Sequence, residues 1–156
     1  MPEIPDDTKP ASWHRYFAME NNNRAWELAG RARSAAEDQE LLNAAHTAAL
    51  HWSTFGVELN DMRAKMLLAE VHAQLGLGET ALTLATEVKS YFLAHETPDW
   101  EHAFVHTIHA HAAFAAGESA IHAESHAAAV LAIEAIADDE DRKIVLETFD
   151  QGPKPG

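Results

Sequence analysis

Short sequence patterns return at a fixed interval along this chain, and this internal repeat limits the possible fold more than any other feature. The pair Arg24-Ala25, with Leu28, returns as Arg63-Ala64 with Leu67. Gly78-Glu79 returns at the same interval as Gly117-Glu118. Helix-forming residues fill the interval, and signals for strands are almost absent. A fixed period of about 40 residues is typical of stacked helical hairpins. We therefore expect an all-α fold, an array of about three antiparallel helical hairpins.

The spacing of apolar residues and turn residues predicts where these hairpins begin and end. Apolar positions recur every three or four residues, and glycines follow several of these runs. The pattern predicts hairpins that pair residues 24–36 with 39–55, 62–75 with 79–93, and 98–116 with 119–137. Gly56 is expected to end a helix in the left-handed conformation. Asp61 and Thr97 are the expected N-caps of the helices that follow them.

Shorter segments flank the three hairpins. A short leading helix is expected from Pro10, and the asparagine run at 21–23 either ends it or is tolerated within one longer helix. A closing helix over 139–149 is expected to cover the exposed flank of the third hairpin. The chain thus divides into a disordered segment over 1–9, a single helical-repeat domain over 10–150 and a flexible tail over 151–156.

Charge and residue content exclude several classes of protein. Eleven Lys and Arg against 25 Asp and Glu give a formal charge of −14, which repels nucleic-acid phosphates and anionic lipids. The absence of cysteine excludes disulfides and thiolate chemistry. The acidic, proline-bearing start does not resemble a secretory signal, and no apolar run is long enough for a membrane span. We expect a cytoplasmic protein that binds neither nucleic acid nor membrane.

Residues typical of one repeat family occur in each hairpin. They are Trp26 and Gly30 in the first, Leu68, Ala69, Gly76, Ala81 and Leu82 in the second, and Phe104, Ala120 and Ala127 in the third. On these residues the chain resembles the tetratricopeptide-repeat family over about residues 23–137, although its period exceeds that family's usual length of about 34 residues. The resemblance implies a TPR-like α-solenoid that acts by binding proteins or peptides.

In such arrays the first helices of successive hairpins line one concave groove. Alignment of the repeats places eight residues on this groove: Arg24, Glu27, Arg31, Arg63, Met66, Glu70, His102 and His109. Arginine can hold a carboxylate with two parallel hydrogen bonds, so a locally basic groove favours an acidic or carboxylate-bearing ligand. The alternative is that these arginines only pair with nearby acids on exposed helix faces. The tryptophans are expected mainly to pack between helices.

The histidines suggest a second hypothesis, which is metal binding. The chain has 11 histidines, and five of them follow helical spacing on the third hairpin: His102, His106, His109, His122 and His126. Two imidazoles one helical turn apart can share a zinc or similar ion. No His-Glu-x-x-His motif is present. Two alternatives remain open: the histidines lie on the surface without binding metal, or several of them become protonated together below about pH 6.5.

The sequence contains no motif that indicates catalysis. The glycines near residue 77 lack the Lys and Ser or Thr of a phosphate-binding loop, and no nucleophile lies in a strand-turn-helix context. We therefore expect a protein that is not an enzyme and needs no cofactor. The predicted function is a binding scaffold for a protein or peptide partner. A self-associating structural subunit is a further alternative, because an array of hairpins leaves two open flanks.

Overall fold

The computed structural model of the protein describes residues 1–6 and 8–156. Across this part of the chain there are seven α-helices and no β-strand, which confirms the predicted all-α class. The helices are α1 (Pro10–Ala29), α2 (Ala35–Phe55), α3 (Glu58–Gln74), α4 (Gly78–Leu93), α5 (Asp99–Ala115), α6 (Ser119–Glu134) and α7 (Asp139–Phe149). None of the helices described here combines the length and apolar character that crossing a bilayer requires.

The helices form two layers. Each helix packs against the next one along the chain, and short connections make these neighbours antiparallel. The odd-numbered helices α1, α3, α5 and α7 also pack side by side as one layer. Within the described residues, α2, α4 and α6 contact the odd-numbered helices but not one another. The layer of odd-numbered helices is therefore the surface on which a continuous binding site can form.

The apolar core runs through the whole array. One group of buried residues joins α1, α2 and α3 and includes the fully buried Leu28, Leu41 and Leu67. A second group extends from α3 to α7. Trp26 and Leu84 pack against both groups, so the two are not separate cores. Burial of this continuous apolar surface is the main stabilising contribution to the fold.

The first helix differs from the expected arrangement. α1 passes through the asparagine run as one helix and ends at Ala29, so the predicted helix over 24–36 is wrong. The Asn21 side chain donates to the Phe17 carbonyl oxygen at 2.9 Å, which keeps its amide bonded within the helix. Ala25 and Leu28 are fully buried. Packing of this face outweighs the weak helix propensity of asparagine.

The second helix also begins earlier than expected, at Ala35 and not at residue 39. The Ser34 hydroxyl accepts a hydrogen bond from the Glu37 backbone N–H at 3.3 Å, and the Glu37 carboxylate accepts one from the Ser34 N–H at 2.9 Å. This reciprocal capping stabilises the helix start. Gly56 ends α2 with a φ of 84°, which confirms the predicted left-handed position. The first hairpin is therefore α1 with α2.

The two predicted N-caps are wrong. Val57 occupies the N-cap position of α3 without a side-chain hydrogen bond, and Asp61 lies within the first turn of that helix. Pro98 occupies the N-cap position of α5, and the Thr97 hydroxyl donates to the Glu101 carboxylate at 2.8 Å instead of capping the backbone. Acidic side chains still stand in the first turn of both helices, where the positive end of the helix dipole favours them.

From the second hairpin to the third, the helices repeat at a slightly longer interval than the sequence patterns do. The sequence interval leads from residue 24 to residue 63, whereas the structural interval leads from the start of α3 at residue 58 to the start of α5 at residue 99. The structural interval is longer by two positions, and it also separates the starts of α4 and α6. It separates Gly76 from Gly117 as well, which end the preceding helices with φ of 75° and 77°. An error of two positions rotates a residue by about 200° around a helix. It therefore moves predicted residues to the opposite helix face.

The start of α4 depends on a close approach to the end of α5. A Cβ atom on Gly78 would lie 2.2 Å from the Ala115 carbonyl oxygen and 2.4 Å from the Ala116 nitrogen. Both are backbone atoms, which cannot rotate away. The second and third hairpins therefore approach each other closely only if residue 78 has no side chain.

We expect Gly78→Ala to destabilise the protein by about 1–3 kcal/mol, the usual cost of inserting a methyl group into a packed site. The midpoint of urea unfolding, followed by circular dichroism, measures this loss. Gly156→Ala is the matched control, because no described atom lies within 4 Å of the added Cβ. An unchanged midpoint for Gly78→Ala would show that the two hairpins do not approach as described.

Candidate binding cleft

The layer of odd-numbered helices contains a cleft of about 730 Å³. Side chains from all four of these helices line it, together with Gln151 just after α7. A volume of this size is typical of sites that hold a small molecule or a few side chains of a partner. The cleft lies on the layer where the sequence predicts a groove, but a different set of residues forms most of it.

Aromatic rings form the apolar wall of the cleft. Trp26 of α1 and Phe104 of α5 meet with their ring centroids 5.9 Å apart, and Trp100 packs edge-on against Phe104 at 6.2 Å. Met66 lies buried beside them, whereas Ile144 of α7 is 55% exposed at the rim. Rings that pack on one another hold their positions, so this wall is formed before any ligand binds.

An ion pair between α3 and α5 lies in the same cleft. Arg63 Nε and Nη2 donate to the two carboxylate oxygens of Glu101 at 2.6 and 3.1 Å, and Thr97 also donates to Glu101. The Glu101 side chain is 1% exposed and that of Arg63 is 41% exposed. The Glu101 carboxylate raises the pKa of Arg63. Because Glu101 already occupies the bidentate fork of Arg63, that fork is not available to a ligand carboxylate.

Uncharged polar groups and one further carboxylate complete the lining. Asn22 and Gln74 bring side-chain amides, and Gln151 brings a third. Amides both donate and accept hydrogen bonds, as a peptide backbone requires. Glu147 of α7 adds a negative charge that no other described lining residue balances, because Arg63 is matched by Glu101. The described lining therefore carries one negative charge in excess.

Arg24 and Glu27, two members of the predicted groove, lie outside the cleft. Arg24 bonds to Glu27 at 2.8 Å and to Glu40 of α2 at 2.6 Å. The two carboxylates raise the pKa of Arg24, with the Glu40 hydrogen bond as the larger cause. Arg24 therefore links α1 to α2 on the surface of the first hairpin. This outcome matches the alternative that the sequence left open, in which the arginines pair with neighbouring acids.

Arg31 is not on a helix, because α1 ends before it. It lies in the turn to α2 and bonds to Glu37 at 2.7 Å. Its guanidinium, together with the Ser34 backbone N–H, lowers the pKa of Glu37 to about 2. Arg31 thus stabilises the start of α2, and it does not line the cleft where the sequence predicted it.

Glu70 is completely buried next to the cleft and does not line it. Its carboxylate lies 2.9 and 3.1 Å from His111 Nδ1 across the α3–α5 contact, and it accepts a hydrogen bond from Gln74. Burial tends to lower the pKa of His111, but the Glu70 carboxylate and the Phe149 carbonyl raise it overall. The pair of Glu70 and His111 is a buried link between α3 and α5.

The five candidate metal ligands do not converge. The rings of His102 and His106 meet edge to face with centroids 4.9 Å apart, and those of His122 and His126 are 6.0 Å apart. His109 points elsewhere, with Nδ1 2.7 Å from Ser125 of α6. In the described part of the chain, no three His, Asp or Glu side chains form a group able to hold a metal ion. The geometry that the metal hypothesis requires is therefore absent from these histidines.

His106 and His109 of α5 are buried and lie away from the cleft. His109 Nε2 lies 3.3 Å from the Thr86 hydroxyl of α4. Burial, with Lys89 and a neighbouring histidine as smaller causes, lowers the pKa of each to about 4. Both imidazoles are therefore neutral at physiological pH and form part of the packing between helices.

The difference between the two intervals explains which site residues the sequence prediction missed. The structural interval matches Arg63 to Phe104 and Glu70 to His111, whereas the shorter sequence interval matched them to His102 and His109. Phe104 lines the cleft and His111 pairs with Glu70. The separation of the two turn glycines at 76 and 117 was the available signal. Arg63 and Met66 are the two predicted groove residues that do line the cleft.

We expect Arg63→Met to destabilise the protein by about 3 kcal/mol, the lower end of the range for a buried acid that loses its partner. Glu101 would keep only the Thr97 hydroxyl. Arg24→Met is the matched control, because its acids are exposed and water replaces the lost partner. Chemical unfolding of both variants makes the comparison. Equal losses would show that Arg63 and Arg24 have equivalent roles.

We expect stability to fall as the pH decreases from 6.5 towards 4, in part through His106 and His109. Their folded pKa of about 4 lies below the ordinary histidine pKa of about 6.5, so in this window the unfolded chain binds more protons. His109→Gln should reduce the slope of unfolding free energy against pH, whereas His95→Gln, at an exposed position, should not. An unaltered slope in His109→Gln would contradict this assignment.

No protein-family model, curated protein sequence or solved structure matches this chain. The all-α fold class therefore rests on the seven helices and their packing in the described residues.

Proposed function

We propose that the chain is a tetratricopeptide-like scaffold that binds a segment of a partner protein in the cleft between α1, α3, α5 and α7. The observation that carries the proposal is the cleft itself, which four helices build from a preformed aromatic wall. Arrays of helical hairpins offer such extended surfaces to peptides. The partner would place an apolar side chain against the aromatic wall.

The polar lining favours a peptide over an isolated apolar molecule. The amides of Asn22, Gln74 and Gln151 border the apolar wall. The Gln74 amide nitrogen already donates to Ala29 and Glu70, so Gln74 offers a peptide its oxygen, while Asn22 and Gln151 bring amides that can both donate and accept. A peptide that enters the cleft loses water from its backbone, and these amides replace the lost hydrogen bonds. The apolar wall would supply affinity, and the amides would orient the bound segment.

The charge of the cleft supports a partner with basic residues beside its apolar anchor. Glu147 leaves one negative charge in excess in the described lining, and the whole chain carries −14. A field of this sign attracts basic segments and accelerates their association. The basic groove expected from sequence loses its support, because Arg24 and Arg31 lie outside the cleft and Arg63 is paired with Glu101. We therefore do not propose an acidic ligand.

The remaining expectations from sequence stay predictions. They are a cytoplasmic location, the lack of enzymatic activity, the lack of binding to nucleic acid or membrane, and self-association as an alternative role. Among the described residues, no contact between the candidate histidine ligands favours the metal hypothesis over the scaffold.

Selection of a displayed library of random dodecapeptides against the purified protein tests the proposal. We expect the selected peptides to share an aromatic or large aliphatic residue flanked by Lys or Arg. Ile144→Lys should weaken their binding about tenfold, because the new positive charge at the rim of the cleft repels the Lys or Arg of the peptide. Fluorescence anisotropy of a labelled peptide measures the dissociation constant.

Leu131→Lys is the matched control for this experiment. Leu131 is 68% exposed on α6, away from the cleft, and Ile144 is 55% exposed, so neither change removes a core residue. The control should bind the peptides as the unchanged protein does. Peptides whose binding is insensitive to Ile144→Lys, or a selection dominated by acidic sequences, would refute the proposed cleft chemistry.

A further inference from the structure

The segment that follows α7 turns back onto the array. The sequence predicts a flexible tail from residue 151, yet its first residues contact three helices. Gln74 of α3 donates to the Gln151 side chain at 3.4 Å, and His122 Nε2 of α6 lies 3.1 Å from the Pro153 carbonyl oxygen. Between these contacts, Gly152 lies directly against His111 of α5. The end of α7 is thus held from two sides.

The contact between Gly152 and His111 leaves no room for a side chain. A Cβ atom on Gly152 would lie 2.0 Å from His111 Nε2 and 2.2 Å from its Cδ2. The imidazole cannot rotate away without loss of its bond to Glu70, which holds Nδ1 at 2.9 Å in a buried site. The His111 ring is therefore held in place, and only a glycine at residue 152 lets the chain pack against it.

α7 is attached to the array more weakly than the other helices. It has 11 residues, which is too short for independent stability, and only Val145 and Thr148 are buried. Phe149 adds a ring contact to His126 at 4.9 Å. Segments with few buried apolar residues open locally before the rest of a domain unfolds. The contacts of residues 151–153 therefore make a large relative contribution to the position of α7.

The position of α7 also determines the shape of the cleft. Ile144, Glu147 and Thr148 form the α7 side of its lining, and Gln151 continues that side into the tail. Movement of α7 away from α5 would widen the cleft and would remove its excess negative charge together with Glu147.

We propose that α7 and residues 151–153 form a releasable wall of the cleft, latched by Gly152 on His111. Release opens the cleft to larger segments, and closure traps a bound one. The regulatory meaning of the latch rests on the proposed peptide-binding function, whereas the opening itself is a property of the free protein. The two ideas can therefore fail separately.

Thiol labelling tests the latch without any ligand. The chain has no cysteine, so Thr148→Cys places a single reactive group on the inner face of α7. In this background we expect Gly152→Ala to accelerate reaction with an aryl disulfide reagent about tenfold, since labelling of a buried thiol follows local opening. Gly156→Ala is the matched glycine control and should leave the rate unchanged, because the added Cβ meets no described atom within 4 Å.

Two further single-cysteine variants separate local opening from other effects. Ser53→Cys, at an exposed position of α2, reports the reactivity of the reagent. Ala44→Cys lies on α2 in the buried group that joins α1, α2 and α3, and it reports global unfolding. Acceleration at residue 148 but not at residue 44 supports the releasable wall. Equal acceleration at residues 44 and 148, or none at residue 148, overturns it. Neither outcome depends on whether a peptide binds the cleft.

Discussion

Two buried carboxylates on facing helices determine how α3 and α5 pack, and the cleft depends on that packing. Glu101 of α5 is paired with Arg63 of α3, and Glu70 of α3 is paired with His111 of α5. A buried carboxylate without a partner is strongly unfavourable, so displacement of either helix along the other is opposed at two points. This register brings the aromatic wall beside Met66. It also positions His111 beneath the chain that follows α7.

Much of the fold was predictable because helical signals are local. The apolar rhythm and the glycines after helices indicate α3 to α6 with small errors at their ends, and Gly56 ends α2 as expected. The failures arise where packing or side-chain bonds override propensity. The asparagine run remains helical because α1 buries one face, and Ser34 with Glu37 starts α2 early. The Ser34-x-x-Glu37 signature was present in the sequence and was overlooked, whereas the packing of α1 depends on contacts with other helices that local patterns do not include.

The candidate site was less predictable, because it depends on the angle of each residue around its helix. The sequence interval matches similar residue types, but α5 and α6 repeat α3 and α4 two positions later, and this difference moves a residue to the opposite face. Arg63 and Met66 are the predicted residues that line the cleft, both on α3. Arg24 and Arg31 were misplaced because their acidic partners, Glu40 and Glu37, lie on the next helix.

The outer helices α2, α4 and α6 touch the inner layer but, in the described residues, not each other. Rotation of one hairpin relative to the next therefore breaks no lateral contact among these outer helices. The angle between neighbouring hairpins can therefore change through small rotations. The close backbone approach at Gly78 limits this rotation between the second and third hairpins. None of the described glycines makes so close a backbone approach at the junction of the first hairpin with the second, so we expect that junction to be the more compliant one.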